Sequence, residues 1–195
     1  MGPGRLQAFS DGVLAIIITI MVLELRVPHG TDLAALRPLA PVLASYVLSF
    51  VYIGIYWNNH HHLLHLTRHV NGAILWANLH LLFWLSLVPF VTGWMGENRF
   101  APVPTAAYGA VLLLAAVAYL ILQRTIIRSQ GSTSALAAAV GRDTKGKASM
   151  VLYVAAIPLA LARPVLAGAF YAAAAMLWLV PDRRIERAIA STKGS

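Results

Sequence analysis

Near the start of the chain stand Arg5, Phe9, Ser10 and Asp11, followed by an almost unbroken apolar run from Val13 to Leu23 that ends at Glu24. An arginine, a hydroxyl and a carboxylate at the head of a membrane-length stretch are costly, because hydrocarbon cannot solvate them. Such groups face a protein interior or a water-filled path, so this helix reads as part of an ion pathway and not as a passive anchor. Two jobs are open to the cluster. It can line the mouth of a path, or it can form a buried network in which Asp11 accepts from Arg5 or from a histidine. The network is the better compensated of the two, since paired buried charges satisfy each other.

Within the apolar run, Ile16, Ile20 and Leu23 recur at i, i+4 and i+7, with Thr19 bordering the same stripe. Around a symmetry axis this stripe would stack apolar rings and one hydroxyl ring, which close a pore by dewetting or steric contact. An apolar stripe by itself more often packs on lipid or on a neighbouring helix. The polar cluster at its head shifts the balance toward a pore, and both readings stand at this point.

Histidines form the second group: His60, His61, His62, His65 and His69, preceded by Tyr56, Trp57, Asn58 and Asn59. Histidines at i and i+4 can share a metal ion. The chain has no cysteine, and no acidic residue lies near enough in sequence to complete such a site, so no metal site is expected. The simpler reading of His60, His61 and His65 is a helix end at the membrane interface, with Tyr56 and Trp57 in the aromatic belt. One of the set can pair with Asp11, and histidine makes pH sensitivity plausible. A third group, Asn71, Asn78, His80, Ser86, Pro89 and Thr92, is scattered through an apolar stretch. These residues face other helices or line the path. Glu24 and Asp32 flank the outer end of the first helix, where acidic groups raise the local cation concentration. They can at the same time be solvated loop charges, with Glu24 paired to Arg26.

The elements that must hold these groups are membrane spans. Of the 195 residues, 59% are hydrophobic and only 11% charged, against about 25% charged in soluble domains. Mean hydropathy is +0.71. At about 20 apolar residues per span, six spans are expected, at about 4–25, 34–60, 71–95, 104–127, 147–163 and 165–181. Together they make one all-α transmembrane domain over residues 1–195. Pro38 and Pro41 fall near the start of the second span, and Pro89 predicts a kink in the third. A tight turn is expected at Ala162-Arg163-Pro164, and a short interfacial helix over Ser134–Val140. The alanine-rich last two spans suit close helix packing. The start of the chain does not read as a cleaved signal, because its apolar run is long and no small-x-small site follows.

The net charge of +8 sits in short loops between apolar runs, which is a topology signal and not a nucleic-acid surface. Eleven of the 15 Lys and Arg residues fall on one side, with Arg26, Arg37, Arg99 and Arg163 on the other. The positive-inside rule then puts both termini in the cytoplasm. No Thr-Val-Gly-Tyr-Gly filter, phosphate-binding loop, nucleophile triad or carboxylate pair is present, so neither a carbonyl-lined filter nor an enzyme is supported.

The first-helix residues Arg5, Phe9, Ser10 and Asp11 complete an Arg-x-x-x-Phe-Ser-Asp pattern that resembles the signature of the transmembrane protein 175 family of lysosomal potassium channels and their prokaryotic relatives. Residues 12–28, Tyr56-Trp57 with His61 and His62, and the stretch from Asn78 to Phe90 are similar to further parts of that family, so the likeness covers residues 5–92. The resemblance implies a prokaryotic, single-repeat member with six spans per subunit, assembled as a homotetramer in the cell membrane. It implies a central pore lined by the first helix, constricted at Ile16, at the level of Thr19 or Ile20, and at Leu23. Arg5, Phe9, Ser10, Asp11, His61, His62 and Asn78 would form a structural network, and Glu24 the pore mouth. Passive permeation of potassium, with some sodium and other monovalent cations and no cofactor, is the implied activity. The alternative is a proton-coupled secondary transporter with Asp11 and a histidine as relay.

Overall fold

The computed structural model describes residues 2–131, 133–141 and 143–179. Arg142, the tail with Arg183, Arg184, Arg187 and Lys193, and the last two residues of the sixth expected span lie outside the described residues.

Every regular element among the described residues is helical: α1 (Pro3–Leu23), α2 (Ala40–His65), α3 (Gly72–Ser86), α4 (Val88–Glu97), α5 (Pro102–Gln130), α6 (Ala135–Val140), α7 (Thr144–Ala162) and α8 (Pro164–Leu179). Helices meet the bilayer's demand that backbone groups be satisfied within the segment. Prolines set many of the starts. Pro3, Pro41, Pro89, Pro102 and Pro164 each stand in a first helical turn, where the missing N–H costs nothing and the fixed φ is already helical. Polar side chains cap other starts. Asn71 accepts from the Ile74 N–H at 3.0 Å, and Asp143 accepts from the Gly146 N–H at 3.2 Å.

Among the described residues, five stretches are long and apolar enough to cross a membrane: α1, residues 33–65, α3 together with α4, α5, and α7. The last helix, α8, is a shorter apolar helix of 16 residues as described. The second stretch departs from the sequence expectation at both ends. It opens as a 3-10 helix over Leu33–Leu39, with Asp32 as its cap, and α2 runs on to His65 and not to 60. The extension is stabilised by burial, since His60, Leu63 and Leu64 are all enclosed. The expected kink is a true break at Leu87. Pro89 has no N–H for the Leu85 carbonyl, and the Leu87 N–H turns back to the Trp84 carbonyl at 3.3 Å. The turn at Arg163 and the short α6 helix fall where the sequence places them.

Helix α5 sits centrally, packed on α3, α4, α7 and α8, while α1 leans on α2, α3 and α4. The α7–α8 side closes on Ala156, Ala160, Ala167, Ala174 and Ala175, small residues that let helix backbones approach. A tyrosine fastens this side to the rest. The Tyr171 hydroxyl donates to the Thr105 carbonyl at 3.0 Å, and the Tyr52 hydroxyl donates to the Tyr171 carbonyl at 2.6 Å. The Tyr171 ring crosses α5 at Gly109, where any Cβ would collide with the phenol. Gly109→Ala is therefore expected to cost about 1–3 kcal/mol of stability by overpacking. The loss would be read as a lower midpoint in a thermal melt of the detergent-solubilised protein.

Candidate functional site

Two opposite stripes run along α1. Leu6, Ser10, Leu14, Ile17 and Met21 are buried against the subunit. Phe9, Ile16, Ile20 and Leu23 are exposed, Ile16 at 59% and Leu23 at 81%, and Thr19 is exposed with them. The exposed stripe is apolar, and no element among the described residues covers it. Thr19 adds one hydroxyl, which donates to the Ile16 carbonyl at 2.9 Å.

A buried polar tie fixes which stripe faces in. The Ser10 hydroxyl donates to the Leu6 carbonyl at 2.9 Å and accepts from Asn78 Nδ2 at 3.0 Å. Asn78 Oδ1 lies 2.7 Å from His60 Nε2, and a carbonyl oxygen only accepts, so His60 donates from that nitrogen. All three side chains are buried. One residue from each of α1, α2 and α3 is thus joined, and none can leave without stranding its neighbours. A second tie stands nearby, where Gln7 Nε2 lies 2.8 Å from His61 Nδ1.

Ser10 and Asn78, both singled out in the sequence, are brought together. Arg5 and Phe9 are exposed. Among the described residues no ion pair joins Arg5 to Asp11, and Asp11 Oδ1 is buried without a hydrogen-bond partner. His61 stacks on His65, with ring centroids 6.2 Å apart and planes 18° apart, and His62 meets the His61 ring edge-on. No three His, Asp or Glu side chains among the described residues converge on a point where a metal could sit. Sequence reasoning set His60 at the interface, whereas it lies in the interior. The missed signal is its i+4 relation to Tyr56, Tyr52 and the buried face of α2. Gln7 was not foreseen at all. Neither were Ser49 and Tyr108, which join Thr92 in a buried set where the Ser49 hydroxyl lies 2.7 Å from Thr92 and 3.0 Å from Tyr108.

At the far end of α1 a groove of about 560 Å³ is lined by Leu23, Glu24, Arg26, Val42, Phe90, Gly93, Trp94 and Glu97. The expected Glu24–Arg26 pair does not form. Arg26 instead bonds Glu97 at 3.1 Å, with both side chains well exposed, so the pair contributes about 1 kcal/mol at most. Glu24 lies over Gly93, its Oε2 only 2.6 Å from where a Cβ would stand. Partial burial, and then the nearby Glu97 charge, raise the Glu24 carboxyl above its ordinary value.

An all-helical bundle of membrane-length apolar helices, with a buried polar tie behind an uncovered apolar helix face, has the architecture of a polytopic membrane protein. The family model described as "Endosomal/lysosomal potassium channel TMEM175" matches residues 5–89. A potassium channel of Chryseobacterium sp. (strain P1-3) is 53% identical over 189 residues, which cover 97% of this chain and 98% of that protein. A potassium channel of Streptomyces collinus is 38% identical over 124 residues, 60% of each chain. The crystal structure of a lysosomal potassium-selective channel TMEM175 homolog from Chamaesiphon minutus superposes with a TM-score of 0.81 at 26% identity, covering 92% of this chain and 97% of that one. The chain belongs to the TMEM175 family, a family of ion channels and not of enzymes.

The tie yields a direct expectation. Asn78→Leu leaves the His60 donor unpaired in the interior and should cost about 1–3 kcal/mol. Ser10→Ala should cost less, because the Asn78 amide keeps its bond to His60. Comparing the melting temperatures of the two purified variants with the parent protein checks the order.

Proposed function

We propose that this chain forms a homotetrameric, potassium-permeable channel with six spans per subunit, set in a prokaryotic cell membrane with both termini in the cytoplasm. Each α1 turns its uncovered stripe toward the axis. Ile16, the Thr19 and Ile20 level, and Leu23 then form a stacked constriction that conducts when wet and closes when dry. The observation that carries this reading is the exposed apolar stripe of α1, held opposite a buried stripe by the Ser10–Asn78–His60 tie. The names of the bacterial relatives and the likeness to the solved homolog support potassium as the permeant ion. Arg5, Phe9, Asp11, His61 and His62 serve the assembly, and conduction calls for no cofactor. Closed symmetry needs several copies, since one α1 cannot enclose a path.

The reading is tested by potassium flux into liposomes containing the purified protein, with sodium as the comparison ion. Dissipative potassium uptake that exceeds sodium uptake, and that rises in Ile16→Ala and Leu23→Ala, is the expected outcome. If neither substitution changes the flux, the stripe does not line the path.

One observation favours a second reading, a proton-coupled carrier. Asp11 Oδ1 and His60 Nδ1 are both buried without hydrogen-bond partners. Flux that saturates at low rates and requires a proton gradient would select this reading over the channel.

The mouth groove gives a pH expectation. Because the Glu24 carboxyl is raised, its negative charge appears at higher pH than that of an ordinary carboxylate. Potassium flux at low ionic strength should therefore rise with pH through a range above the usual carboxylate titration. Glu24→Gln should flatten that rise, and about 1 M salt should mask it. A pH profile of flux for the two proteins is the check.

A further inference from the structure

Helices α2 and α3 both pack against α1, and each turns one face away from the subunit. Lipid tails solvate nothing polar, so an outward face at membrane depth is expected to be apolar. Along α2 the outward line runs through Leu43, Val47 and Phe50 and then meets Asn58, which is exposed. Along α3 it runs through Trp76, Leu79 and Phe83, and among them stands His80, exposed as well. Two polar side chains thus face out of the subunit from two different helices.

The buried tie fixes their depth. His60 on α2 and Asn78 on α3 are bonded to one another and so share a level. As consecutive spans, α2 and α3 run in opposite directions. Asn58 precedes His60 by two residues and His80 follows Asn78 by two, which puts both about 3 Å to the outer side of the tie. From the start of α3 at Gly72, His80 is about 12 Å along the helix. The stretch Gly72–Glu97 has 26 residues and is about 39 Å long, against a hydrocarbon core of about 30 Å. Asn58 and His80 therefore stand inside the hydrocarbon layer and not at its surface.

Their hydrogen-bonding capacities are complementary. Trp84 Nε1 donates to His80 Nε2 at 2.9 Å. An indole N–H only donates, so the imidazole accepts at Nε2 and carries its proton on Nδ1. That N–H has no acceptor among the described residues, and the Asn58 amide has no partner among them either. Against lipid, each group would cost free energy that no contact within the chain offsets. The shapes agree as well. Gly54, one turn outward from Asn58, has open space where a Cβ would stand. Phe83, one turn outward from His80, is 55% exposed at nearly the same level.

We propose that the α2 face around Asn58 packs on the α3 face around His80 of the partner subunit, a second copy of this chain. The Asn58 carbonyl accepts from the Nδ1–H of His80 of the partner subunit, and Phe83 of the partner subunit fills the hollow at Gly54. The contact rests on the tetramer proposed above and closes it. A ring built by rotation joins two unlike faces of each subunit. With α1 toward the axis, α2 and α3 supply those faces on either side of it.

The chain has no cysteine, so thiols can be placed without background. In the double variant Asn58→Cys/His80→Cys, reconstituted in liposomes, a two-carbon bis-methanethiosulfonate linker should give a reducible ladder up to the covalent tetramer on a denaturing gel. Either single variant can reach no further than a dimer. Asn58→Cys/Val154→Cys, whose second thiol sits on an exposed face of α7, should give no ladder. A second measurement needs no thiol. Asn58→Leu removes no hydrogen bond within the described subunit, and it should weaken each subunit contact about 3- to 30-fold, read by light scattering on dilution in detergent. If the parent protein is tetrameric and Asn58→Leu holds together equally well, the contact is overturned and the tetramer stands, with lipid covering both faces. A double-thiol variant that elutes as a tetramer yet gives no ladder has the same meaning. A monomeric parent overturns the contact and the tetramer together.

Discussion

A single carboxamide governs the orientation of the first helix, α1. The Asn78 amide donates an N–H to Ser10 and accepts a hydrogen bond from His60, so one side chain engages α1 and α2 from α3. In a bilayer, lipid tails are as apolar as leucine, and apolar contacts alone hardly distinguish one rotation of a helix from another. The amide does distinguish them. Turning α1 by one residue would carry Ser10 away from Asn78 and leave three buried polar groups short of partners, in a medium where each is expensive. The exposed stripe of Phe9, Ile16, Ile20 and Leu23 is therefore set by a hydrogen bond on the opposite side of the same helix.

The rest of the bundle follows a different rule. Around α5, α7 and α8 the packing relies on small residues and on tyrosines whose hydroxyls reach backbone carbonyls across helices. Alanine lets the backbones close up, and each phenol spans the gap that remains. This half offers little for ions to follow and much to hold the first three helices in register. The division matches the reach of the family model, which covers residues 5–89 and leaves the scaffold helices outside it.

Much of this was legible in the sequence, for reasons that can be named. Some span starts were visible because proline is nearly free only in a first turn, and Pro41 and Pro164 stand there. The stripe on α1 was visible because helical period is a local property. Partners were not visible, because pairing is decided by tertiary packing. Asn78 could be seen to need partners without those partners being identified. His60 looked like its neighbours His61 and His65, and its place on the Tyr52 face of α2 explains why it alone of the three is enclosed. The Arg26–Glu97 bond prevailed over the Glu24–Arg26 pair because the end of α4 comes to rest beside the exit of α1, an approach fixed by the break at Leu87.

Thr19 carries one consequence beyond its position. Its hydroxyl proton is spent on the Ile16 carbonyl of the same helix, so the group has no donor left for anything outside the chain. What it presents is an oxygen lone pair. In the pore proposed above, a ring of such groups would be chemically one-sided: it could replace part of the hydration shell of a positive ion and would have nothing to offer a chloride. Discrimination by sign of charge can thus be written into a helix that carries no charge at that level, through the way one short side chain disposes of its proton.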